Sequence, residues 1–96
     1  MSPINKKKLE ILRVKLDKLD NELLKLIKKR SNLVNEVLKV KIHKKEIVDQ
    51  KRIKFILNKI KIKSIQSNID PRITNRIWKN MIWSFIDYEK RNFKKK

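Results

Sequence analysis

Ten positions between Leu9 and Val40 constrain this chain more than anything else in it. Leu9, Leu12, Leu16, Leu19, Leu23, Leu26, Arg30, Leu33, Val37 and Val40 follow one another at alternating steps of three and four residues. That spacing is a seam of period 3.5, the mark of a long helix with an apolar stripe along it. Nine of the ten are Leu or Val, and the tenth, Arg30, puts a cation into the seam. A helix from about Asn5 to Ile42 would be on the order of 55 Å long. A compact monomer of this size has a radius of gyration of about 12–13 Å. The helix overshoots any globule that its own chain can build. Its stripe needs a second chain, so an intertwined homodimer is expected.

Beyond this helix, residues 43–48 carry no helical period and read as a loop. Asp49 is a good N-cap for a second helix, whose apolar face is Ile53, Ile56, Leu57 and Ile60 and which fades near Ser64–Ser67. Asp70-Pro71 is a second start signal, an N-cap followed by proline at the first helical position. The third helix should run from about Pro71 to Asn92, with Ile73, Ile77, Met81 and Phe85 as its apolar stripe. Trp78 and Ile82 flank that stripe, and its next step is Glu89. Nothing signals a strand. The expected fold is all-α: three helices, long, short and medium, in one domain over residues 1–96, with 1–8 and 93–96 frayed.

The formal charge of +18 raises nucleic acid as a partner. The chain has no Gly and no Ala but much Lys, Ile and Asn, the bias of AT-rich codon usage, so much of the lysine is filler on solvated faces. A nucleic-acid binder would gather its cations on an exposed face, whereas Arg30 and Glu89 fall on apolar ones. Base stacking would want exposed aromatics, whereas Trp78 and Phe85 lie on the core stripe. With no Cys and one His, His43, no metal site is expected. No apolar run approaches the roughly 20 residues that span a membrane. The N-terminus lacks the apolar core of a signal peptide, so a soluble cytoplasmic protein is expected.

Several polar residues break the helical pattern. Arg30 sits in the seam, and Lys41, eleven residues on, faces the same way about 16 Å further along the axis. Arg52 stands in the first turn of the second helix, and Glu89 closes the stripe of the third. Buried cations are costly unless paired, and the seam holds too few carboxylates to pair them. A small, multiply anionic ligand would answer that need. Residue by residue, the plainer alternative is that Arg30 reaches solvent along its stem and Glu89 pairs with a nearby lysine.

Leu12-Arg13, Leu16-Asp17, Leu19-Asp20, Leu23-Leu24, Leu26-Ile27, Arg30, Val37 and Lys41, followed by Asp49-Gln50-Lys51-Arg52, together resemble the all-helical (AroQ-type) chorismate mutases. The resemblance spans residues 9–89; the loop before Asp49 is about one residue shorter than in some members. It implies a monofunctional homodimer converting chorismate to prephenate, a Claisen rearrangement on the way to phenylalanine and tyrosine, with no cofactor. It further implies that Arg13, from the partner, Arg30 and Arg52 clamp the substrate's carboxylates. Lys41 would donate to the ether oxygen, and Asp49 would cap the second helix and offer its backbone to the substrate hydroxyl. Geometry bears on Arg13 independently. It stands seventeen residues from Arg30, about 25 Å along one helix, so only an antiparallel partner brings the two to one small ligand.

Three positions depart from the family pattern. Ile53 stands where a glutamate usually binds the substrate hydroxyl, and Phe85, beside Ser84, where a small polar residue is usual. Glu89 stands where many members have glutamine as a second donor to the ether oxygen, and a carboxyl donates only when protonated. Weakened activity is therefore expected. The same fold and cation set also occur in isochorismate-pyruvate lyases, the nearest alternative substrate class.

Overall fold

The computed structural model describes residues 2–95. Among them are three α-helices and no strand: α1, Pro3–Val40; α2, Gln50–Gln66; and α3, Pro71–Asn92. A single 3-10 turn, Lys44–Ile47, stands in the α1–α2 connection, where the sequence suggested only loop. Residues 3–8, expected to fray, are helical, and Ser2 starts α1 by accepting the Asn5 N–H on its hydroxyl (3.2 Å). The chain divides into two units, Met1–Leu33 and Val34–Lys96.

From Pro3 to Leu33 the first unit is helix alone. Leu12, Leu16, Leu19, Leu23, Leu26 and Leu33 are each more than half exposed, and α1 has no buried residue at all. Its seam is formed as the spacing required, but the chain does not cover it.

The second unit has a core, and Ile47, Ile53, Ile82 and Ile86 are its buried centre. Leu38, Val48, Ile56, Leu57, Trp78 and Phe93 pack around them. α2 begins where Asp49 Oδ1 accepts the Arg52 N–H at 3.0 Å, and α3 where Asp70 Oδ1 accepts the Arg72 N–H at 2.9 Å, so both capping expectations hold. Between them α2 ends in a Schellman motif. Asn68 takes the left-handed conformation (φ 56°), which lets Ile69 N–H reach Ser64 O at 2.9 Å and Asn68 N–H reach Ile65 O at 3.2 Å.

α3 then folds back along α2. Near the turn the buried Ser64 and Thr74 hydroxyls meet at 2.7 Å, while Ser64 Oγ also bonds Ile60 O at 2.6 Å. Thr74 Oγ1 in turn reaches Pro71 O at 3.3 Å, so each hydroxyl has a backbone carbonyl as well as the other hydroxyl for a partner. Such small polar pairs let the helices approach closely with no buried polar atom left over.

The core-facing stripe of α3 differs from the expected one. Thr74, Ile82, Ile86 and Glu89 are buried with Trp78 partly so, whereas Ile73 and Ile77 are 56% and 52% exposed. Met81 and Phe85 lie between, half-buried. The inward face is thus turned by one residue, about 100°, from the stripe expected to form the core.

Ile47, 3% exposed, ties the 3-10 turn to both helices' core side chains. Ile47→Ala is expected to destabilise the protein by about 2–4 kcal/mol. Urea unfolding at fixed protein concentration checks this, with Ile62→Ala, at a half-exposed site, expected to stay within about 0.5 kcal/mol.

Candidate active site

The polar chemistry of the second unit collects where the end of α1 meets the C-terminal half of α3. α1 stops at Val40, and Lys41 N–H still donates to Leu38 O at 3.3 Å. From there the Lys41 side chain reaches Glu89, with Nζ 3.2 Å from Oε1 and 3.4 Å from Oε2. The two side chains are only 17% and 7% exposed. Four other ion pairs among the described residues, Lys25–Glu22, Lys39–Glu36, Arg72–Asp70 and Arg91–Asp87, each have at least one partner more than half exposed. One residue away, the Tyr88 hydroxyl donates to Asn35 Oδ1 at 2.8 Å, holding α3 to the last turns of α1 a second time.

The chain beyond Lys41 is fastened by Glu46. Its Oε1 accepts the backbone N–H of His43 at 2.7 Å and that of Ile42 at 3.2 Å. The His43 N–H, above all, holds the Glu46 carboxyl below the usual carboxylate range, with the Ile42 N–H and the positive charges of His43 and Lys41 acting in the same direction against some loss of hydration. Lys41, Glu46, Val48, Asp49, Gln50 and Lys51 line a shallow cleft beside this connection.

Of the residues singled out in the sequence, Lys41 and Glu89 are brought together, and Lys41 and Asp49 share the cleft. The plainer alternative for Glu89, a lysine partner, is what is seen; that lysine is itself one of the candidates. Asp49 is exposed and engaged as the cap of α2. Arg52 is exposed, with its guanidinium 5.4 Å from the centre of the Phe55 ring; Lys59 lies 5.8 Å from the same ring. Phe85 is half-buried on α3, while the Ser84 hydroxyl is occupied by Asn80 O at 2.6 Å. Ile53 is 8% exposed and belongs to the core. Arg13 and Arg30 belong to the first unit, where Arg13 is exposed and Arg30 half-buried on α1.

Sequence reasoning missed Glu46, Ile47 and the Asn35–Tyr88 bond. For Glu46 there was a signal: it stands three residues after His43, the spacing of a capping box. It also overlooked two exposed aromatics, Phe55 and Trp83, 55% and 45% accessible. Among the described residues no group of three His, Cys, Asp or Glu is placed to hold a metal ion. No helix among them is long and apolar enough to cross a membrane.

Fold and site together define a small all-helical protein that keeps a lysine–glutamate pair in its interior. The family model of chorismate mutase type II matches residues 12–90, and the chain belongs to that family. Neither the curated proteins nor the solved structures compared with the chain gave a match.

Removing one member of a buried pair strands the other's charge. Lys41→Met is expected to cost about 2–4 kcal/mol, and the double substitution Lys41→Met/Glu89→Leu to recover most of that. Chemical denaturation of the two single variants and the double variant measures the coupling.

Proposed function

We propose that this chain is a chorismate mutase acting as an intertwined homodimer in the cytoplasm, one active domain per chain and two sites per dimer. The observation that carries the reading is the Lys41–Glu89 pair, held in the interior of a member of this family. The uncovered stripe of α1 supports the dimer, since a helix of 38 residues with no buried residue gains its stability from a partner surface. An antiparallel partner would lay its own stripe there and carry its Arg13 toward the site.

The reaction suits such a site. As the ether C–O bond breaks, a C–C bond forms between the enolpyruvyl methylene and the ring, with no nucleophile and no proton transfer required. The protein has to hold the dianion folded and stabilise charge building on the ether oxygen. Arg13 from the partner, Arg30 and Arg52 clamp the carboxylates, each through a planar fork matched to a carboxylate. Lys41 donates to the ether oxygen. Glu89 holds the Lys41 ammonium beside that oxygen. Asp49 turns its backbone to the substrate hydroxyl, and Phe85 forms an apolar wall. With Ile53 committed to the core, hydroxyl recognition rests on Asp49 alone, so turnover is weakened.

Following chorismate loss by absorbance tests the reading. Arg30→Ala is expected to lower kcat/KM by roughly 100-fold or more. Co-refolding Arg13→Ala with Lys41→Ala should restore about one quarter of wild-type activity, because half the dimers then carry one intact site of two. Donation of Arg13 within its own chain predicts no recovery, and a monomer at micromolar concentration removes the dimer.

The role of Glu89 has its own signature. Glu89→Leu, which takes the partner carboxylate away from Lys41, is expected to lower kcat/KM by about tenfold or more. An unchanged kcat/KM would take Glu89 out of the mechanism. Phe55, exposed beside Arg52 and Lys59, favours nucleic-acid binding as the second reading. Salt-dependent DNA binding at physiological ionic strength, without chorismate turnover, selects it.

A further inference from the structure

The 3-10 turn between α1 and α2 does more than reverse the chain. Past the end of α1, the N–H groups of Ile42 and His43 have no helical acceptor, and both point to one atom, Glu46 Oε1, at 3.2 and 2.7 Å. Glu46 N–H returns a bond to His43 O at 3.0 Å, closing a small ring of hydrogen bonds. The next residue, Ile47, is buried among Ile53, Ile82 and Ile86. Glu89 lies one turn beyond Ile86 on α3, so the polar tie at Glu46 is followed directly by an apolar anchor packed one turn from the partner of Lys41.

Lysine has a flexible four-carbon stem and a point charge rather than a fork. Where its ammonium rests depends on the backbone from which the stem departs. The residue preceding the tie is Lys41 itself. Bonds to an ionised acceptor are the shorter and stronger kind, and the 2.7 Å contact with His43 is of that kind.

We propose that Glu46 is a positioning residue for Lys41: by fastening the two backbone amides that follow it, Glu46 sets the Lys41 ammonium on Glu89. The role deepens the chorismate mutase reading, in which Lys41 touches the reacting ether oxygen, but its structural half stands without that reading. A single oxygen takes both N–H groups, so the carbonyl oxygen of a glutamine can replace it while the charge is lost. Geometry and charge are thereby separable.

The experiment compares wild type, Glu46→Ala and Glu46→Gln by amide hydrogen exchange, by the NMR signal of the Lys41 ammonium and by steady-state kinetics. In Glu46→Ala the Ile42 and His43 amides are expected to exchange at least about tenfold faster. The Lys41 ammonium signal should be lost to rapid exchange with water, with helix content unchanged. A displacement of about 1 Å at a reacting group is worth up to roughly 100-fold in rate, so kcat should fall by about tenfold or more while KM stays within about threefold. Glu46→Gln should restore all three readouts. An unchanged Lys41 ammonium signal in Glu46→Ala overturns the proposal, and so does a Glu46→Gln variant as impaired as Glu46→Ala. If the wild type does not turn over chorismate, the functional reading fails, while exchange and the ammonium signal still decide the role of Glu46.

Discussion

A carboxylate inside a helical core is tolerated only when positive charge reaches it, and that requirement shapes the whole of the second unit. α3 carries Glu89 to 7% side-chain exposure, and the end of α1 must deliver Lys41 to it. The delivery works only if the chain turns at once after Lys41, because Asp49 already caps the next helix. Glu46 and Ile47 make that turn, one by gathering backbone amides and the other by filling the space between Ile53, Ile82 and Ile86. The pair is no efficient way to gain stability. Removing two charges from water costs several kcal/mol per ion, and well-packed apolar residues often serve a core as well or better. A buried Lys–Glu pair in a chain this short of acidic groups therefore points to something beyond holding the fold.

The first unit poses the opposite problem, apolar surface without cover. Local ion pairs on α1, Lys25 with Glu22 in this unit and Lys39 with Glu36 beyond it, are exposed and worth only a few tenths of a kcal/mol each. Most of what holds such a helix must come from packing its stripe. In the dimer proposed for this chain, covering the stripe also brings the partner's Arg13 into play, so association and completion of the site become one event. Arg30 then makes sense as a seam position given up to the ligand, because a leucine there would pack better and bind nothing.

Legibility in the sequence followed the strength of each local signal. Asp49 and Asp70-Pro71 announce their helices through side-chain chemistry specific to the position, and both caps are made by the expected oxygens. α3 spans the very residues those signals framed. The 3-10 turn was missed because four residues at three per turn leave too short a pattern to distinguish from loop. The face of α3 was misjudged for a different reason. Two apolar stripes run along it, Ile73–Ile77–Met81–Phe85 and Trp78–Ile82–Ile86, about 100° apart. Periodicity shows that both exist but not which packs on α2. Ser64 and Thr74 settle it, since their hydroxyls satisfy one another only when the second stripe faces inward. The Lys41–Glu89 contact joins residues 48 apart in sequence and rests on that same rotation, so it was legible as two odd residues and not as a pair.

In the proposed enzyme the excess charge would bear on substrate capture more than on chemistry. A net +18 spread over 96 residues raises the local concentration of any small dianion and speeds its encounter, an advantage that salt erodes. Encounter is indifferent to where each lysine stands, whereas stabilising a developing oxyanion demands a donor fixed in a dry place. The exposed lysines can do the first and not the second. In the proposed enzyme Lys41, 17% exposed and followed by the amides that Glu46 fastens, would be the lysine suited to the second. Ile53 is the counterweight in that reading: packed in the core, it would offer the substrate hydroxyl nothing. Fast capture by the overall field, followed by weak discrimination at one hydroxyl, is therefore the kinetic character that this set of residues favours for the proposed enzyme.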